Sequence, residues 1–155
     1  MPIFKPDEFL LNILPKKRVL GIDPGTKTIG IAVSNSDLTV ASPIFTIQRK
    51  KLKSDLNQLL EVLKKYDITG IIIGWPLNMD GSIGPRCDSV RDFVKSLLEV
   101  IDIPILLQDE RMSTMAIEKP MIKADLTRKK RNSRTDQLAA CWILQTALDG
   151  LPKRM

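Results

Sequence analysis

The sequence predicts an α/β domain on a single mixed five-stranded sheet, with three antiparallel strands followed by β-α crossovers and helices on both faces. Three observations predict it. An apolar run at residues 18–23 (RVLGID) and an alternating run at 28–34 (TIGIAVS) flank a Pro24-Gly25 turn. Further on, helix-period segments alternate with short apolar runs at 69–74 (TGIIIG) and 103–108 (IPILLQ). The chain's 155 residues suit one compact domain.

Each element has its own warrant. Pro24 presets φ and Gly25 tolerates positive φ, so 18–23 and 28–34 read as a hairpin, and 40–48 as a third strand. Leu52, Leu56, Leu59, Leu60 and Leu63 share one face of a helix from about Lys51 to Tyr66. The wholly apolar 69–74 is a strand buried on both sides, as in parallel sheets. The loop WPLNMDGSIGP leads to a helix from about Pro85 to Ile101, with proline suiting its first turn and Val90, Phe93, Val94, Leu97, Leu98 and Ile101 on its buried face. After the fifth strand at 103–108, a helix starts near Ser113 and is ended or kinked by Pro120. The basic stretch LTRKKRNSR then leads into a last helix from about Thr135 to Leu148, apolar on most sides, with Leu138, Ala139, Trp142 and Ile143 as core. Residues 1–17 read as an N-terminal arm, 18–150 as the domain and 151–155 as a short tail. Asp7, Glu8 and two prolines interrupt the arm's apolar patch, which makes it a poor signal peptide.

Composition narrows the function. Twenty-four Lys plus Arg against eighteen Asp plus Glu give a net charge of +6, which favours an anionic partner, nucleic acid before membrane. The chain has no histidine, which excludes Ser-His-Asp and Cys-His nucleophiles and every His-ligated metal site. Cys87 and Cys141 form no CxxC pair and read as free buried thiols in a reducing, cytoplasmic setting. No apolar run approaches the ~20 residues of a membrane helix. Aromatic residues make up 5% of the chain, too few for a surface of stacked rings.

In α/β sheets, ligands bind beyond the carboxyl ends of the parallel strands. Asp23, the loop after Gly74 and the Asp109-Glu110 pair all fall at such ends. Asp23 can be a metal-binding carboxylate beside a glycine turn open to phosphate, or a plain Asp-Pro-Gly turn; Lys27 can contact phosphate or be a solvated turn lysine. Asp109 and Glu110 point to opposite faces, so only one can serve a given site, and the other can cap a helix or pair with Arg111. Asp136 falls in the first turn of the last helix, where Ser133 makes an S-x-x-D cap, a structural role in its own right. RKKRNSR at 128–134 carries five positive charges in seven positions, either phosphate contacts through Lys129, Lys130 and Arg131 or a solvated loop. Arg49, Lys50, Lys51 and Lys53 form a weaker patch that reads as solvated surface.

Four blocks, GIDPGTKTIGIAVS, IIIGWPLNMDGSIGP, DERMST and RKKRNSRTDQLAACWILQ, resemble in order and spacing the motif blocks of the YqgF family, over about Arg18 to Asp149. That family is described as Holliday-junction resolvases and as nucleases that mature pre-16S ribosomal RNA. The resemblance implies an RNase H-like fold and a magnesium- or manganese-dependent phosphodiesterase, a hydrolase. It makes Asp23, Glu110 and Asp136 the catalytic and metal-binding set, around two ions about 4 Å apart. Lys27 and the PLNMDGS block at 76–82, with Asn78, look like substrate-side elements; Arg111, Lys129, Lys130 and Arg131 join them as candidate substrate contacts. The implied substrate is structured RNA at the 5′ end of pre-16S rRNA, in ribosome biogenesis. Branched DNA in recombination, or nucleic-acid binding without cleavage, are the alternatives. The protein is expected as a monomer or homodimer, with no membrane association.

This chain departs from the family pattern at Trp75, at Pro120 and in a less uniformly basic fourth block. The first block also looks like the phosphate loop of the actin and sugar-kinase superfamily. Those proteins close two lobes on ATP, however, and this chain has room for one, with no Walker loop.

Overall fold

The computed structural model describes residues 3–4, 6–25, 27–76, 84–109 and 128–151, with main chain alone at 3, 4, 6, 7, 86 and 128–137. Its elements are β1 (Ile3–Phe4), α1 (Pro6–Asn12), β2 (Arg18–Pro24), β3 (Thr28–Ser34), β4 (Ala41–Gln48), α2 (Leu52–Lys65), β5 (Ile68–Trp75), α3 (Pro85–Leu98), β6 (Ile105–Asp109) and α4 (Arg128–Gly150). One mixed sheet runs in the order β1-β6-β5-β2-β3-β4. β2, β3 and β4 pair antiparallel, whereas β5 pairs parallel to both β2 and β6. The five predicted strands are β2 to β6.

Pleating splits the core in two. Leu20, Ile22, Ile71, Ile73 and Ile105 point to the face covered by α2 and α3, through Leu56, Leu59 and Leu63 and through Val90, Phe93 and Leu97. Val19, Ala32, Ile72 and Leu106 point to the face covered by α1 and α4, through Phe9 and through Ala140, Ile143, Leu144 and Ala147. With helices on both faces, β5 can be apolar at nearly every position, which is why ITGIIIG carries no alternation.

Several details differ from the sequence reading. Within residues 1–17, β1 adds a sixth strand, pairing parallel with β6. Phe9 of α1 is wholly buried, and the Leu14 N–H donates to Thr69 Oγ1 at 2.8 Å, so the arm is docked on the sheet. Arg128–Gly150 is one helix, so RKKRNSR is helical rather than a loop; arginine and lysine are good helix formers and nothing in the stretch stops them. Asp136 therefore lies about two turns inside α4, too deep for a cap on its N-terminus. Trp142 is 48% exposed, because α4 buries the 139/140/143/144/147/148 stripe and 142 falls outside it. Leu52 is likewise exposed at the start of α2, and Cys141 is half-buried rather than buried.

Candidate active site at the strand-end rim

Asp23 is half-buried near the end of β2. Val19 points to the α4 side and Leu20 and Ile22 to the other, so alternation puts Gly21 and Asp23 on the α4 side. Asp23 pairs across β3 with Gly30, and Gly30 pairs with Thr46 of β4. On the other flank Ile22 pairs with Ile73, so Gly74 is the next residue of β5, and Gly74 pairs with Gln108 of β6. Asp23 thus stands in a row whose neighbours on both adjacent strands, Gly30 and Gly74, carry no side chain. The carboxylate has lateral room that a valine or isoleucine at either position would take.

The turn beyond Asp23 is tight. The Gly25 N–H donates to the Thr28 carbonyl at 2.9 Å, and a Cβ on Gly25 would lie 2.7 Å from that carbonyl oxygen. Glycine is therefore required there for want of space. Lys27 is exposed in this turn.

α4 crosses above this row. A Cβ on Gly21 would lie 2.7 Å from Leu144 Cβ and 3.1 Å from the Ala140 carbonyl oxygen, so the glycine is what lets helix and strand touch. The helix direction follows from its contacts with β4. Cys141 Sγ donates to the carbonyl of Ala41, the first residue of β4, and Gln145 Nε2, four residues on, donates to the carbonyl of Thr39, two residues before β4 begins. β4 runs the same way as β2, because both are antiparallel to β3. α4 therefore runs against β2, with its N-terminal part towards the strand ends. Position 136 is four residues before Ala140 on the same helical face, about 6 Å further along the axis. Asp23 is two residues beyond Gly21, about 6.6 Å in the same direction.

Of the other sequence candidates, Glu110, Arg111 and Asn78 lie outside the described residues, as do Pro120 and the helix expected near Ser113. Lys129, Lys130 and Arg131 are in the first turn of α4. Pro76, which opens the PLNMDGS segment, and Gly84, beyond its end, both contact Cys87: Cys87 Sγ donates to the Pro76 carbonyl at 3.4 Å, and the Cys87 N–H to the Gly84 carbonyl at 3.0 Å. Trp75, at the end of β5, packs partly on the core under the Arg91 guanidinium, 5.8 Å from its ring centroid. Among the described residues no group of three potential metal ligands occurs. The Asp23 carboxylate is a hard oxygen donor at this rim, which suits Mg²⁺ or Mn²⁺ better than thiophilic metals.

Sequence reasoning missed one part of the site. Arg49, read as solvated, donates from Nη1 to the Gly25 carbonyl at 2.7 Å, and its backbone N–H donates to the Lys27 carbonyl at 2.9 Å. Its Nε lies 3.8 Å from Asp55, whose side chain is 1% exposed and accepts from the Lys50 N–H at 3.2 Å. The guanidinium also lies 5.7 Å from the Phe93 ring centroid. Arg49 thus ties the turn after Asp23 to α2 and α3. Arg49→Met should strand the buried Asp55 carboxylate and cost about 3 kcal/mol, read by chemical denaturation. Arg49→Met with Asp55→Asn should recover most of that. If the single variant is as stable as wild type, the brace has no such role.

A family described as RuvX, Holliday junction resolvase, matches residues 17–150. This chain belongs to the RuvX (YqgF) family. A RuvX relative from Ruegeria sp. is 48% identical over 143 residues, covering 92% of this chain and 91% of its own, and is named a candidate pre-16S rRNA nuclease. Relatives from Paramagnetospirillum magneticum (44% over 149 residues, 96% of each chain) and Rhizobium meliloti (47% over 151 residues, 97% and 92%) carry the same name. Among solved structures, Thermus thermophilus RuvC with a Holliday junction matches at a TM-score of 0.55 and 15% identity, over 87% of this RuvX chain and 98% of that one. This likeness gives the RuvX chain the RuvC-type, RNase H-like fold.

Proposed function

We propose that this RuvX protein is a divalent-metal-dependent nuclease that cleaves structured RNA in pre-16S rRNA maturation, with Asp23, Glu110 and Asp136 as its carboxylates. The observation that carries the reading is the glycine-flanked Asp23, lying on the sheet face that α4 crosses and advancing to the same level as position 136. Alternation adds support for Glu110. Leu106 points to the α4 side, and Ile105 and Leu107 point away, which puts Asp109 on the wrong face and leaves its neighbour as the acid for this site. The family and the names of its members support the substrate class, and the net charge of +6 suits a polyanion.

In this reading the chain's residues divide the work. The carboxylates hold the cations and align them with the scissile phosphate. Mg²⁺ or Mn²⁺, when bound, supplies positive charge against the phosphodiester and its attacking water. Lys27 and the basic first turns of α4 grip phosphates beside the cut. With no histidine in the chain, proton transfer falls to water and carboxylates.

The test is cleavage of a pre-16S rRNA fragment with and without Mg²⁺ or Mn²⁺. Metal-dependent cutting that EDTA abolishes is expected, whereas binding without cutting under every metal would refute the proposal. A four-way DNA junction in parallel separates the two substrates that the family's names suggest. Neutralising Lys129, Lys130 and Arg131 together should weaken RNA binding and flatten its log–log salt dependence by about 2. An unchanged slope would return these residues to the solvated surface.

A further inference from the structure

We infer that Lys27, Lys50, Lys51 and Lys53 form a second phosphate-binding face, on the α2 side of the sheet rim, over which nucleic acid runs after crossing the Asp23 site. The inference rests on the nuclease reading and extends it from one side of the sheet to both. Thr28 pairs with Gln48, and the Arg49 N–H donates to the Lys27 carbonyl at 2.9 Å, so Lys27 and the Arg49–Lys50 corner are direct neighbours. The rim therefore runs from Asp23 through the Lys27 turn to the entry of α2 without interruption.

The charge on this corner is one-sided. Residues 48–54 read QRKKLKS, with no acid among them. Lys27, Lys50, Lys51 and Lys53 are all exposed. The next acid, Asp55, is buried and engaged by Arg49 and the Lys50 N–H, so it offers no counter-charge at the surface. Arg49 does not share the lysines' task; it holds the corner rigid and cancels the one acid that would spoil it. Fixed like charges on a braced turn repel one another, and phosphates relieve that repulsion with release of counterions.

Position adds the last argument. α2 packs on one face of the sheet and α4 on the other. The basic start of α4 and this lysine corner thus lie on opposite sides of the rim that carries Asp23. A strand crossing the rim meets positive charge on both flanks and a carboxylate between them.

The test uses the full chain carrying Asp23→Asn, which binds without cutting, and a structured RNA hairpin whose affinity is measured from low to physiological salt. Lys50→Gln, Lys51→Gln and Lys53→Gln together should lower affinity at low salt by about 10-fold or more and flatten the log–log salt slope by about 2. The comparison is Lys64→Gln, Lys65→Gln and Lys95→Gln, which removes the same charge at sites far from the corner and should flatten the slope much less. An unchanged slope, or equal effects of the two triples, would overturn the inference. Failure of the wild-type protein to cut under any metal would instead strike at the nuclease reading, and cutting by the Asp23→Asn protein would strike at the role of Asp23, so the failures are distinct.

Discussion

Asp23→Asn is expected to lower metal-dependent cleavage by about 10³-fold while leaving the melting temperature within a degree or two of wild type. The amide keeps the shape of the side chain but removes the charge and one hard oxygen that a divalent ion needs. Asp23 is only half-buried and has glycine beside it on both strands, so the isosteric amide fits without crowding its neighbours. If the three carboxylates act as a set, Glu110→Gln and Asp136→Asn should each fail to the same degree. Full activity in any one of them would remove that residue from the set. Mn²⁺ affinity supplies a readout independent of turnover, and it should fall in all three.

Gly21→Ala tests the seat of the helix. The added Cβ would stand 2.7 Å from Leu144 Cβ, an atom that cannot swing aside, and 3.1 Å from the Ala140 carbonyl oxygen. Helix and sheet must part, at a cost of about 2 kcal/mol, which lowers the melting temperature of a chain this size by about 6 °C. Activity should suffer more than stability. α4 carries position 136, and a displacement of about 1 Å at a metal site costs about 10²-fold in rate. Val62→Ala, on the buried side of α2 at the other face of the sheet, provides a control of similar destabilisation. Equal activity losses in the two variants would mean that helix seating does not govern the site.

The comparison of sequence with structure separates patterns that are local from those that are not. β2 to β6 were readable because each strand carries its own evidence: an apolar run, an alternation, a Pro-Gly turn. The position of Asp23 followed from the same evidence, since strand ends in such sheets are where sites form. The Arg49–Asp55 brace could not be read in this way. Two charges six residues apart look solvated, and the Phe93 ring beside the Arg49 guanidinium comes from a helix that follows a different strand. Trp142 failed for a related reason. α4 is apolar on most sides, so its phase on the sheet is set by the contact of Ala140 and Leu144 with Gly21, which no helical periodicity reveals. The charge of RKKRNSR suggests a solvated loop, whereas its helix propensity decides its conformation. With the helix beginning at Arg128, position 136 is too deep for the capping role that S-x-x-D suggests.

The most direct test of the central claim is anomalous diffraction from crystals of the wild-type protein soaked in Mn²⁺. The account predicts manganese at the β2 end, about 2.1 Å from carboxylate oxygens of Asp23, Glu110 and Asp136. Manganese bound elsewhere, or ordered Asp23 and Asp136 side chains that share no ion, would contradict it.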